Sequence, residues 1–152
     1  MEQAEQKSID YASIINMKHG ANWFFWAAIF SAVNSLIVYF VGTPNFPFAL
    51  GITQWIDGTT GGLTAEGVTP PLHAMGLVLD LMIAAAVAGF GYLARKGNDY
   101  AFVIGIFLYA IDTMLVIGLR EFWAFGIHVA IMCLLFRGLL ASRHARENAT
   151  TY

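Results

Sequence analysis

Residues 21–41, 72–94, 100–119 and 121–141 form four apolar runs, each near the roughly 20 residues that a helix needs to cross a hydrocarbon core. A helix satisfies its own backbone N–H and C=O groups, which is the condition for a segment to leave water. The first run, ANWFFWAAIFSAVNSLIVYFV, has no formal charge, and each of the others has one or two. In a chain of 152 residues, four crossings and short connections nearly exhaust the length, so 1–152 is expected to be one membrane domain without a separate soluble domain. Composition agrees: 58% of residues are hydrophobic and 12% charged, against about 45–50% and 25% in soluble domains. The expected fold is an all-α antiparallel bundle of four transmembrane helices in a lipid bilayer.

The connections set its order. Pro70 and Pro71 suit the first turn of the second run, while Gly97-Asn98-Asp99 and Gly118-Leu119-Arg120-Glu121 are tight links. Links this short make the last three runs antiparallel neighbours. Residues 44–57, PNFPFALGITQWID, are apolar but short, and Pro44, Pro47 and Gly51 interrupt them, so a re-entrant or interfacial helix is expected there. Gly58 to Pro71 is rich in Gly and Thr and reads as an outer loop. The N-terminal stretch over Ile9 to Met17, inside the polar segment 1–20, is expected to lie as a short helix along the inner interface.

Charge gives the orientation. Lys7 and Lys18 precede the first run, Arg95 and Lys96 fill the second turn, and Arg143 and Arg146 lie in the tail 142–152. All six fall on one side if four segments cross, and Arg137 can snorkel towards that side, leaving Arg120 alone opposite. The positive-inside rule then makes both termini cytoplasmic, in what reads as a bacterial-type inner membrane. Glu2, Glu5 and Asp10 precede the first run and no A-x-A-like site follows it, so that run is expected to be retained as a span. The few cations form no patch, which argues against nucleic acid as a partner. A single cysteine, Cys133, excludes a disulfide or dithiol relay confined to this chain and reads as a small core residue. The aromatics Trp23, Trp26, Trp55 and Trp123 fall near the interfaces as an anchoring belt.

Inside this apolar frame, ionisable residues are costly and face a bundle interior. Asn34 lies seven residues before Val41, Asp80 eight after Leu72, Asp112 seven before Leu119 and His128 seven after Glu121. At the ~1.5 Å helical rise, all four sit roughly 10–12 Å below the outer ends of their helices, in one layer. Ser31 and Ser35 flank Asn34, Tyr109 shares the face of Asp112, and His73 stands two turns outward of Asp80. Gln54 and Asp57 in the short segment are placed to cover the layer. The expected result is a polar cavity open to the outer face.

Three chemistries fit. The first reading is a small binding or accessory protein, in which the layer holds a ligand or locks four helices in register. The second is a metal-dependent intramembrane enzyme of hydrolytic type, with Asp80, Asp112 and His128 holding a divalent metal. The third is a small cation or proton transporter or an oligomeric channel. Motif evidence for catalysis is absent: there is no HExxH, no four-Cys redox set and no paired histidines at two depths for two haems. A binding or accessory, structural role without catalysis is therefore preferred, alone or within a homo-oligomer or larger membrane complex. The small residues Ala84, Ala85, Ala88 and Gly89 suggest close helix packing, most simply within the chain.

Overall fold

A computed structural model describes residues 2–42, 47–65 and 70–150, with side chains over 11–42, 47–60 and 71–148. The described residues form five helices: α1 Glu2–Val41, α2 Gly51–Ala65, α3 Pro70–Arg95, α4 Asp99–Gly118 and α5 Phe122–Thr150. Four contain segments long and apolar enough to cross a membrane, namely Tyr11–Val41, Pro71–Arg95, Asp99–Gly118 and Phe122–Asn148. The chain is an all-α integral membrane protein built as a four-helix bundle. α1 packs on α3 and α5, and α4 closes the ring by packing on α3 and α5. The short α2 contacts α1, α3 and α4.

Side-chain placement follows the solvent. Phe40, Met75, Met82, Phe107, Met114 and Trp123 are exposed on the flanks, where lipid tails are as apolar as they are. Ser31, Asn34, Ser35, Asp80 and His128 are buried completely. Cys133, expected in the core, is exposed, because its position on α5 lies outside the stripe of Ile131, Leu135 and Leu139 that packs inward.

Two expected boundaries move. The N-terminal stretch is no separate interfacial helix, because α1 runs unbroken from Glu2. Ser13, Met17, Ala21 and Phe24 continue one buried stripe at helical spacing, so packing carries the helix through Gly20. At the other boundary, α2 begins at Gly51 and extends to Ala65, taking in half of the stretch read as an outer loop. Thr59 donates its hydroxyl to the carbonyls of Trp55 and Ile56, and Thr60 donates to that of Ile56. Back-bonding of this kind uses the hydroxyl within the helix rather than against it. Residues 43–46 and 66–69, which include Pro44, lie outside the described residues.

Glycines decide how closely α1, α4 and α5 approach. A Cβ on Gly138 would stand 2.8 Å from Gly20 Cα and 3.0 Å from the Phe102 ring, so α1 and α5 meet backbone to backbone. A Cβ on Gly105 would stand 2.5 Å from Phe24 Cζ, which makes Gly105 the socket for that ring. The stripe expected from sequence on α3 is displaced. Ala84 is buried, but Ala85 and Gly89 are exposed and a Cβ on Gly89 would meet nothing within 4 Å. The close contact with α1 instead uses Gly91, against Phe24 and Phe25, because the inward stripe of α3 runs through Ala84, Gly91 and Ala94.

The two tight turns use left-handed residues. Gly97 has φ +80°, donates its N–H to Ala94 O, and is followed by Asn98 donating to Leu93 O. Asn98 then caps α4, its side-chain oxygen accepting from the N–H groups of Tyr100 and Ala101. The α4–α5 turn repeats this closure with Arg120 at φ 62°, where glycine is the usual occupant.

Candidate functional site

The first turn of α2 organises the polar interior. A helix start leaves N–H groups without intrahelical acceptors, and Leu50 before α2 has no side-chain oxygen to supply one. Two side chains from elsewhere in the chain meet three donors at this helix start. Leu50 N–H donates to Ser31 Oγ at 2.8 Å, and Ser31 in turn donates to Ala27 O. The N–H groups of Gly51 and Ile52 donate to the two oxygens of Asp112, at 3.0 and 2.9 Å. Asp112 is thus the N-terminal cap of a helix 60 residues away, and its charge also suits the positive end of that helix. Gly51 is required there, since a Cβ would lie 2.8 Å from Val116 Cγ2 and 3.0 Å from Asp112 O.

His128 stands on the other side of Asp112. Its Nδ1 lies 2.8 Å from Ala124 O, and a carbonyl can only accept, so Nδ1 carries the hydrogen. Nε2 is then turned to Asp112 Oδ2 at 3.3 Å, an ion pair when the ring carries both protons. Tyr109 stacks on the imidazole, with ring centroids 5.3 Å apart and planes 19° from parallel. Its hydroxyl is buried without a hydrogen-bond partner. Asp112, His128 and Tyr109 form one group.

Asp80 belongs to another. It meets Asp57, two turns along α2, with the carboxyl groups in hydrogen-bond reach of each other. Asp57 Oδ2 accepts from Asn34 Nδ2 at 3.3 Å and from Ser35 Oγ at 3.1 Å. Ser35 lies beside Asp80 as well, yet neither Asp80 oxygen accepts a hydrogen bond of good geometry. Burial raises the Asp57 carboxyl above the usual carboxylate range, outweighing the hydrogen bonds from its neighbours and the field of His73. His73 is half-buried and packs against Tyr39, with ring centroids 4.8 Å apart and planes tilted by 35°. Gln54 is buried and donates to Ala49 O at 3.3 Å.

The expected single layer is therefore two groups. Asn34, Asp57, Asp80 and His73 gather at the middle of α2, while Tyr109, Asp112 and His128 gather at its start. The six residue steps from Gly51 to Asp57 separate the two by ~9 Å of helical rise. Asp80, Asp112 and His128 do not converge on one point, and among the described residues no three His, Cys, Asp or Glu side chains form a metal-binding group. The physical reason is α2, whose first turn takes both oxygens of Asp112 before Asp80 can share them. Instead of an open cavity, the Asp57–Asp80 group is packed tightly enough that Asn34, Ser35 and Asp80 have no exposed surface and Asp57 has 5%.

Ser31 and Ser35 gain definite roles from the structure, and the capping role of Asp112 was not read from sequence. One signal pointed to it: a helix starting at Leu50-Gly51 has no cap of its own. Fold and site define a polytopic membrane protein with a polar interior arranged around a short fifth helix. Compared with family models, curated proteins and solved structures, the chain matches none.

Proposed function

We propose that this chain is a small membrane binding protein that takes up a cation at the Asp57–Asp80 pair, a proton occupying the pair when no metal ion is bound. One observation carries the reading: Asp80 is wholly buried, faces a second carboxyl within hydrogen-bond reach, and accepts no hydrogen bond of good geometry at either oxygen. Two unit charges ~4 Å apart repel by about 4 kcal/mol at an effective dielectric of ~20, a large share of the ~5–15 kcal/mol that holds a domain together. The pair is therefore not stable as two bare carboxylates. The surrounding donors, with Asn34 and Ser35 beside the acids, are oxygen-rich and suit a hard cation rather than a thiophilic metal.

In this reading α2 is a re-entrant element. Its first-turn donors are met by Ser31 and Asp112, as a helix end at membrane depth requires. His73 and Asp57 stand on the approach from the side opposite the termini. Charge distribution supports cytoplasmic termini in a bacterial-type inner membrane, so uptake would be from the outer face.

Thermal unfolding of the purified protein in detergent tests the proposal, with chelator or with added Na⁺, Mg²⁺ or Ca²⁺ across a pH series. A ligand at 100 times its Kd adds about 2.7 kcal/mol. The wild type is expected to gain stability with one of these cations, and Asp80→Asn to lose that gain while remaining folded. Cation-independent melting at every pH would overturn the cation reading and leave the pair as a proton site.

A further inference from the structure

A second site lies at the end of the bundle that bears the termini. Beside the Gly20–Gly138 contact, α1 and α5 line a cleft of about 320 Å³. Asn16, His19 and Trp23 of α1 line it on one side, at i, i+3 and i+7, and Arg137 of α5 faces them. Gly20 and Ala141 leave room at its floor. Four side chains that can donate hydrogen bonds line it from two helices, and among the described residues no carboxylate does.

Arg137 has no acidic partner among the described residues. Two acids described at that end are engaged elsewhere: Asp99 accepts from Ser142 and pairs with Arg146, and Glu147 pairs with His144. Arg137 lies four residues before Ala141, where the apolar run ends, or ~6 Å inward along the helix. From there a long arginine side chain can extend to the boundary between acyl chains and headgroups. An unpaired guanidinium there is costly, and the anion that a bilayer supplies at this depth is a phospholipid phosphate. The guanidinium fork matches phosphate oxygens, while indoles such as that of Trp23 favour the headgroup level.

We propose that this cleft binds the phosphate headgroup of an anionic phospholipid, held by Arg137 with His19, Asn16 and Trp23 around it. The site is independent of the Asp57–Asp80 pair at the opposite end.

Native mass spectrometry of the full chain in detergent tests it, with phosphatidylglycerol, phosphatidylcholine or inorganic phosphate added. Phosphatidylglycerol is expected to be retained most strongly. Arg137→Gln should weaken retention about tenfold, the loss of a charge-assisted contact. Arg137→Lys, which keeps the charge and loses the fork, should fall between, and Arg143→Gln, outside the cleft, should bind like the wild type. Equal retention of phosphatidylcholine would overturn the proposal. So would a folded Arg137→Gln protein that retains phosphatidylglycerol unchanged. Displacement of the lipid by an equal concentration of inorganic phosphate would assign the cleft to a soluble anion instead.

Discussion

Replacing Asp112 with alanine separates a capping role from a ligand-binding one. The wild-type carboxylate accepts from Gly51 N–H at 3.0 Å and Ile52 N–H at 2.9 Å, within a start of α2 where Leu50 and Gly51 are buried. Removing it leaves two donors without acceptors, at about 1–3 kcal/mol each. The expected cost is thus about 2–6 kcal/mol, comparable with much of a domain's ~5–15 kcal/mol stability. Asp112→Asn keeps one acceptor oxygen, so it should cost about half as much, with a further ~0.3–1 kcal/mol for the charge lost at the helix start. The loss is local first, because the packing of α2 on α1, α3 and the rest of α4 does not depend on this carboxylate. Hydrogen exchange of a peptide covering residues 50–57 reads it directly. Even 2 kcal/mol corresponds to roughly 30-fold faster exchange, while amides at the far end of α4 should be nearly unchanged. If Asp112→Ala exchanges in this peptide at the wild-type rate and melts at the wild-type temperature, the carboxylate does not hold α2.

Other perturbations address the frame and the acidic pair. Arg120→Gly should raise stability by about 1 kcal/mol in thermal unfolding, since φ 62° is left-handed and costs a side chain that glycine lacks. Gly138→Ala should cost about 1–3 kcal/mol by pressing on Gly20 and Phe102, whereas Gly89→Ala, with open space around it, should be neutral or stabilising by up to ~1 kcal/mol; equal melting shifts for the two would contradict the packing described. For Asp57, burial raises the folded-state value above its ordinary 3.8, so the folded chain holds more protons than the unfolded chain just above that pH. Its contribution is present below about pH 3.8 and is lost as pH rises through the raised folded value. Asp57→Asn should therefore flatten the decline of stability with rising pH, as followed by denaturant titrations at several pH values.

Much of the bundle was readable because hydropathy is a property of each segment by itself. The runs 72–94 and 100–119 coincide with α3 and α4 to within two residues at each end. Turn chemistry was local too: Gly97 and Asn98 close one helix and cap the next without distant help. Positions that failed were those where a second element chooses the outcome. Gly89 and Gly91 are indistinguishable by composition, yet only Gly91 faces Phe24. Thr59 and Thr60 look like loop residues until their hydroxyls bond back into α2.

The sequence by itself determined that four segments leave water and that Asn34, Asp80, Asp112 and His128 each stand seven or eight residues from one end of an apolar run, because run length and spacing are fixed along the chain. Only the tertiary structure decided what those polar groups meet. A buried carboxylate takes whichever donors are brought within about 3 Å, and that depends on where a neighbouring element ends to within a residue or two. Here the uncapped start of α2 takes both oxygens of Asp112, while Asp57, two turns further on, meets Asp80. One polar layer in the sequence thus becomes a helix cap at one end of α2 and a carboxyl pair at its middle.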